Sequence, residues 1–338
     1  MIAGEAEVLL EVMDLSMHFS ARDGAWGRVR GLVKAVDGIS FTIRRGETLG
    51  LVGESGCGKS TTARSLLRLL EPTGGRVLFD GVDVLSMDAR TLRAFRGRAQ
   101  IVFQDPFGSL NPRSTAGGML EEALEVHHLA GDATGRGRRA VELLELVGLR
   151  AEHAGRYPHE FSAGQRQRLG IARALSVEPE FIVLDEAVSA LDVSVQAQIL
   201  NLLSDLKADL GLAYLFIAHD LAVVEHLCDR VAVMYLGKIV ETGPAERLYR
   251  APRHPYTKAL LSAVPSLDAK FESGHERIML TGDPPSPMNP PSGCVFHPRC
   301  SHPKKDEACR RDMPDLADCG EGCFVACIKE RSRLGGGA

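Results

Sequence analysis

Residues 53–60, GESGCGKS, bring together three glycines, a lysine and a serine in a spacing that could grip a triphosphate. Gly53, Gly56 and Gly58 let the backbone turn tightly and point several N–H groups inward, a concavity that suits an oxyanion. Lys59 adds a positive charge aimed at the β- and γ-phosphates, and Ser60 offers a hydroxyl to Mg²⁺. The implied ligand is a nucleoside triphosphate with magnesium.

Such a loop needs a strand to enter it and a helix to leave it. Residues 48–52 form a short apolar run suited to a buried parallel strand, and a helix is expected through about Leu70, its positive end facing the same anion. Further along, three more apolar runs end in polar side chains. Residues 99–103 end at Gln104, just before Asp105 and Pro106, where proline forces a turn. That amide could reach a magnesium-bound water or could be a surface glutamine. Residues 181–184 deliver Asp185 and Glu186 at the carboxyl end of a strand, the edge where doubly wound sheets place their ligands. Asp185 would serve Mg²⁺ there, and Glu186 would polarise water. Residues 214–218 end at His219, which could be structural or could join the same series.

Other elements are coarser. Residues 8–12 and 39–43 read as strands joined by a polar loop at 20–31, and Phe19 either stacks on an adenine ring or is an ordinary half-buried aromatic. Residues 76–79 read as a strand. A helical period runs over 119–149, with a break at 131–139 where Arg136, Arg138 and Arg139 make a solvated face. Ser162 is a plausible N-cap for an amphipathic helix, with small Ala163 and Gly164 behind it. A long helix is expected over 195–210.

Composition bounds the class. A chain of 338 residues with 25% charged and 44% apolar residues can bury a substantial core, in two domains. A net charge of −4 argues against a general nucleic-acid binder. No apolar run approaches the length of a membrane span, and the acidic start MIAGEAEVLLEVMDL does not read as a secretory signal, so the expected location is the cytoplasm. Eight cysteines in such a compartment read as thiols rather than disulfides.

Taken in order, these motifs resemble the ATP-binding subunits of ABC transporters: GESGCGKS, Gln104, the signature FSAGQ at 161–165, FIVLDE at 181–186, SALD and His219. The resemblance covers roughly residues 7–265. FQDPFGSLNPR, VSALDVSVQAQ, HPYTKALLSAVP and GCVFHPRC resemble the oligopeptide/dipeptide importer branch, and its F-type rather than D-type ATPase subunit. The fold this implies is α/β: a P-loop NTPase with a RecA-like core, an N-terminal antiparallel β subdomain, an inserted α-helical subdomain at about 106–176, and a small Cys-rich C-terminal domain at 266–338.

The same resemblance implies the site and its partners. Phe19 would stack on adenine; the loop Gly53, Glu54, Ser55, Gly56, Cys57, Gly58, Lys59, Ser60 and Thr61 would hold phosphates; Ser60, Gln104 and Asp185 would organise Mg²⁺. Glu186 would polarise the attacking water and His219 would contact the γ-phosphate. Ser162, Gly164 and Gln165 would serve ATP bound by an opposing D-type ATPase in a head-to-tail heterodimer. Two transmembrane permease subunits, fed by an extracellular or periplasmic peptide-binding protein, would place the chain at the cytoplasmic face of the membrane. Nickel, glutathione or a sugar as cargo, or a soluble ABC ATPase acting on ribosomes or DNA, are the competing assignments. Two departures from the family pattern stand out: Ala163 replaces a glycine of the signature, and Ala187 a proline after the glutamate.

Beyond a proline-rich connector at 283–293 come Cys294, Cys300, Cys309, Cys319, Cys323 and Cys327, six of the eight cysteines. Thiolates this dense suit zinc or an iron–sulfur cluster, and spacing alone does not choose. The resemblance implies a [4Fe–4S] cluster on Cys294, Cys300, Cys309 and Cys327, with Cys323 and Cys319 as alternatives. Cys57 and Cys228 read as ordinary thiols.

Overall fold

The computed structural model describes residues 7–22, 29–219, 221–263 and 278–331. In chain order these form β1 (Val8–Arg22), β2 (Val29–Arg44), β3 (Thr48–Val52), α1 (Lys59–Leu66), β4 (Gly74–Phe79), β5 (Val82–Asp83), α2 (Ala89–Arg98) and β6 (Ala99–Val102). Then follow α3 (Pro106–Ser109), α4 (Ala116–Val126), α5 (Ala133–Leu146), α6 (Ala163–Leu175), β7 (Phe181–Asp185), α7 (Val193–Leu210), β8 (Ala213–Ala218) and α8 (Leu221–Leu227). The chain closes with β9 (Arg230–Tyr235), β10 (Lys238–Pro244), α9 (Ala245–Arg250), α10 (Pro255–Ser262), α11 (Ala308–Arg311), β11 (Ala317–Asp318), β12 (Phe324–Val325) and α12 (Ile328–Arg331). Among the described residues no helix is long and apolar enough to cross a membrane.

Two compact units emerge. Unit 1 comprises Met1–Leu9, Ile43–Glu47 and Ser86–Ile217; unit 2 comprises Leu10–Thr42, Thr48–Leu85 and Ala218–Ala338. In unit 1, β8, β7 and β6 lie side by side as parallel strands. β7 and β8 are buried along their whole length, as the apolar runs FIVL and YLFIA require of parallel strands covered on both faces. Helices α4 and α5 cover most of 119–149, the stretch with a helical period. Asp132 accepts a 2.8 Å hydrogen bond from the Gly135 N–H, so α5 starts at Ala133 and the break at 131–139 is narrower than expected. A good N-cap outweighs two glycines in the first turns. Arg139 pairs with Glu142 and Glu178 on the exposed surface, in keeping with a solvated face.

In unit 2, β2, β1, β4 and β5 make one sheet, and β11, β12, β10, β9 and β3 follow one another in a second. β3 runs parallel to β9, whereas β9, β10, β12 and β11 alternate in direction. β1 and β2 reach well into residues expected to be loop; of that expected loop, 23–28 lie outside the described residues. β1 pairs antiparallel with β4 from Leu10↔Phe79 to Ser16↔Gly74, and its polar residues face solvent, which an antiparallel sheet tolerates on one face. α1 is a turn shorter than expected because Arg68 adopts a left-handed φ of 49° that closes it. The C-terminal residues belong to unit 2 through β12, while the expected boundary at 265–266 lies outside the described residues.

Candidate functional site

The phosphate loop of unit 2 has the expected form. β3 is fully buried and hands the chain to a loop ending at Gly58, the N-cap of α1. Gly58 has φ 113°, and a Cβ there would lie 2.1 Å from the Ala35 carbonyl oxygen, so only glycine fits. The N-cap Gly58 has no side chain to bond the first turn of α1, whose N–H groups lie at the loop end as an anion would need. Lys59 is 4% exposed, and its Nζ donates to the carbonyls of Gly53 at 2.8 Å and Glu54 at 3.1 Å. The ammonium therefore sits inside the curve of the loop. Ser55 and Gly56 are exposed at its tip, Ser60 and Thr61 half-buried on α1, and Cys57 buried beneath with its thiol pushed up by burial.

The first turn of this loop is held from below. The Glu54 N–H donates to Tyr256 Oη at 2.8 Å, and the Arg299 guanidinium donates to both Glu54 carboxylate oxygens, at 2.7 and 3.2 Å. Tyr235, Tyr256 and Phe296 pack edge to face or tilted beneath it, with centroids 4.7 to 5.3 Å apart. Nothing in the sequence pattern pointed to Arg299. Phe19 lies exposed on β1, and His219 is exposed at the end of β8.

Unit 1 carries the other expected residues. Asp185 ends β7 and is 2% exposed. Glu186 follows with a left-handed φ of 49°, unusual outside glycine. Its N–H donates to the Ile217 carbonyl at 3.1 Å, and its own carbonyl accepts the Ser189 hydroxyl at 2.9 Å. Gln104 Nε2 donates to Glu186 Oε2 at 2.8 Å, so these two strand ends are brought together. Ser162 caps α6 in a reciprocal pair with Gln165: its hydroxyl accepts the Gln165 N–H, and the Gln165 amide oxygen accepts the Ser162 N–H. Ala163 is exposed, whereas Gly164 is buried with space for no Cβ, since one would meet Val195 at 2.4 Å.

The cysteines divide into two sets. Cys294, Cys300, Cys309 and Cys327 line one enclosed cavity of about 20 Å³ together with Phe296 and His302. Cys319 and Cys323 do not line that cavity; they pack with Val325, Gly243 and Cys327, which thus touches both groups. Burial and the neighbouring thiols push Cys294 up to about 11, and burial also raises Cys300 and Cys327. Four facing thiols are the right donors for a soft metal, but the cavity has room for little more than one water-sized atom. Among the described residues no group of three or more His, Cys, Asp or Glu side chains is spaced to hold a metal ion. Cys57 and Cys228 are buried and lie outside both groups.

A parallel sheet, a glycine-lined phosphate loop opening an uncapped helix, and an Asp-Glu pair at a strand end define a P-loop ATPase. The ABC transporter family model matches residues 36–189, and the oligopeptide/dipeptide transporter C-terminal region matches 240–309. The chain belongs to the ABC transporter family as an ATP-binding cassette. It is 51% identical over 328 residues to the oligopeptide transport ATP-binding protein AppF of Bacillus subtilis, covering 97% of this chain and 99% of AppF. YkfD of the same organism is 54% identical over 319 residues, 94% of each chain. Among solved structures, the dimeric bacterial ABC transporter cassette MJ0796 superposes with TM-score 0.62 at 27% identity, covering 70% of this chain and 98% of that one. CbiO1 from Clostridium perfringens, part of an ABC transporter complex, gives 0.61 at 27%, covering 72% of this chain and 91% of that one.

Proposed function

We propose that this chain is the ATP-hydrolysing subunit of an importer that takes up oligopeptides or dipeptides through membrane-spanning partners. The observation that carries the reading is a tight loop opening α1 at Gly58, where only glycine fits, with the buried Lys59 ammonium held inside its curve. The peptide cargo follows the name of AppF, which this chain matches over nearly its whole length.

Within this reading the loop 53–61 holds the phosphates, and Ser60, Gln104 and Asp185 organise Mg²⁺, which would draw charge from the γ-phosphate when bound. Glu186 takes the proton from the attacking water, and Gln104, already bonded to it, keeps the carboxylate turned toward that water. His219 contacts the γ-phosphate and Phe19 the adenine. Hydrolysis is mainly positioning and electrostatics. Ser162, Gly164 and Gln165 serve ATP on a D-type sister subunit packed head to tail, with the exposed Ser162 at the start of α6 as the surface offered. The helical stretch 106–176 carries the motion to two permease subunits at the cytoplasmic face of the membrane, and residues 266–338 form an accessory C-terminal domain.

For the cysteines, the reading that fits the resemblance is a [4Fe–4S] cluster on Cys294, Cys300, Cys309 and Cys327. All four thiols line one cavity, but among the described residues they are not spaced as a metal site. The cavity's small volume requires the thiols to move apart on loading, and no step of hydrolysis is assigned to the cluster. Co-expression with the neighbouring permease and ATPase subunits tests the main reading. A purified complex with peptide-stimulated ATPase activity is expected; a chain that copurifies with ribosomes and no membrane subunit would overturn it.

A further inference from the structure

We infer that Arg299 is a positioning residue for the nucleotide, acting through Glu54. The inference rests on the ATPase reading above and concerns how the phosphate loop is held in shape. Arg299 lies one residue before Cys300, in the C-terminal region, yet its guanidinium reaches back 245 positions to grip the second residue of the loop. The contact is bidentate, with Arg299 only 9% exposed and the Glu54 side chain 28% exposed. Such a fork fixes direction as well as charge. Glu54 holds the guanidinium charge more firmly than usual, and the Tyr235 phenol beside it is pushed up by burial.

The purchase on the loop is unusually complete. Glu54 is held by its carboxylate to Arg299, by its N–H to Tyr256, and by its carbonyl to Lys59. The third of these is the same ammonium that must meet the phosphates. Rotating Glu54 would therefore move the Lys59 anchor and tilt the following amides. A merely structural ion pair tying two segments together would have no reason to end on this residue. Phe296, three positions before Arg299, packs on Tyr235 and Tyr256 and so brings the guanidinium to its place.

The test is nucleotide affinity of the full chain, measured by calorimetry with ATP and Mg²⁺ and with ADP, alongside the melting temperature. Arg299→Ala is expected to weaken binding about tenfold and Arg299→Lys about threefold, since lysine keeps the charge without the fork. Val325→Ala, in the same C-terminal region but away from the loop, serves as the control for lost stability; it is expected to lower the melting temperature and leave affinity within about twofold. Should Arg299→Ala not fold, Arg299→Lys against Val325→Ala gives the same comparison. Wild-type affinity in the Arg299 variants, or equal loss in Val325→Ala, would overturn the inference. A wild-type chain that binds no nucleotide would instead remove the ATPase reading beneath it.

Discussion

Gln104 and Glu186, 82 positions apart, share a 2.8 Å hydrogen bond that joins the ends of two neighbouring strands. β6 and β7 pair in parallel from Ala99↔Phe181 to Val102↔Leu184, so the two residues leave the sheet at one level. The amide can donate to a carboxylate, whereas a carboxylate there would repel it. Glu186→Gln is accordingly expected to bind ATP near wild-type affinity and to lose about 10²-fold or more in hydrolysis, the usual loss when a general base goes. Phosphate release and nucleotide binding on the assembled complex decide it; wild-type turnover removes Glu186 from the chemistry.

The two small residues of the signature are expected to behave oppositely. Ala163 is exposed, so Ala163→Gly should change ATPase activity by less than about twofold, as an unstrained surface change does. Gly164→Ala forces a Cβ to within 2.4 Å of Val195 and should cost about 1–3 kcal/mol of overpacking. Adding Val195→Ala should recover most of that loss in chemical unfolding. A severalfold rise with Ala163→Gly would show that its methyl crowds the opposing nucleotide.

Acid should weaken unit 1 at a defined place. Glu180 accepts hydrogen bonds from Arg98 and from Arg45, and these hold its carboxyl below the ordinary value of 4.5 against the opposing pull of burial. A depressed carboxylate contributes stability in full above the unfolded value, and that contribution fades as pH falls through the lower folded one. The ion pairs are partly exposed and screened, so Glu180→Gln should cost about 1 kcal/mol or less at neutral pH. The difference from wild type should narrow between neutral pH and a pH below 4.5, and close only once pH falls below the lowered folded value. Urea unfolding at the two pH values reads the difference directly.

Iron and acid-labile sulfide, assayed on anaerobically purified protein, separate the two cysteine sets. Cys294→Ser should abolish bound iron, and Cys319→Ser should leave it, because only the former thiol faces the shared cavity. Zinc without iron would replace the cluster with a single ion.

Much of this was legible from residue order. The buried strands β3, β7 and β8 announce themselves because short apolar runs ending in glycine, acid or histidine have few other uses, and Ser162 is visible as an N-cap, though its reciprocal bond with Gln165 is not. The extent of β1 and β2 was not, because polar residues on the open face of an antiparallel sheet look like a loop until a partner strand is known. Gly164 looked like part of an ATP motif, and its packing against Val195 is invisible without the fold. Arg299 lies within GCVFHPRC, but its hold on the phosphate loop is not legible there, since its partner Glu54 is near the other end of the chain.

β12 lies along β10, matching Glu241↔Val325 and Thr242↔Phe324, and Ala326 donates to the Val240 carbonyl just beyond. The C-terminal stretch thus hides an edge that would otherwise offer bare amides and carbonyls to any passing strand. A cassette cut back to its nucleotide-binding portion would lose the Arg299 hold on Glu54 and gain a sticky flank as well. Such a truncation should precipitate or stack on itself, so trimming the cysteine-bearing tail is a poor way to learn what the tail does.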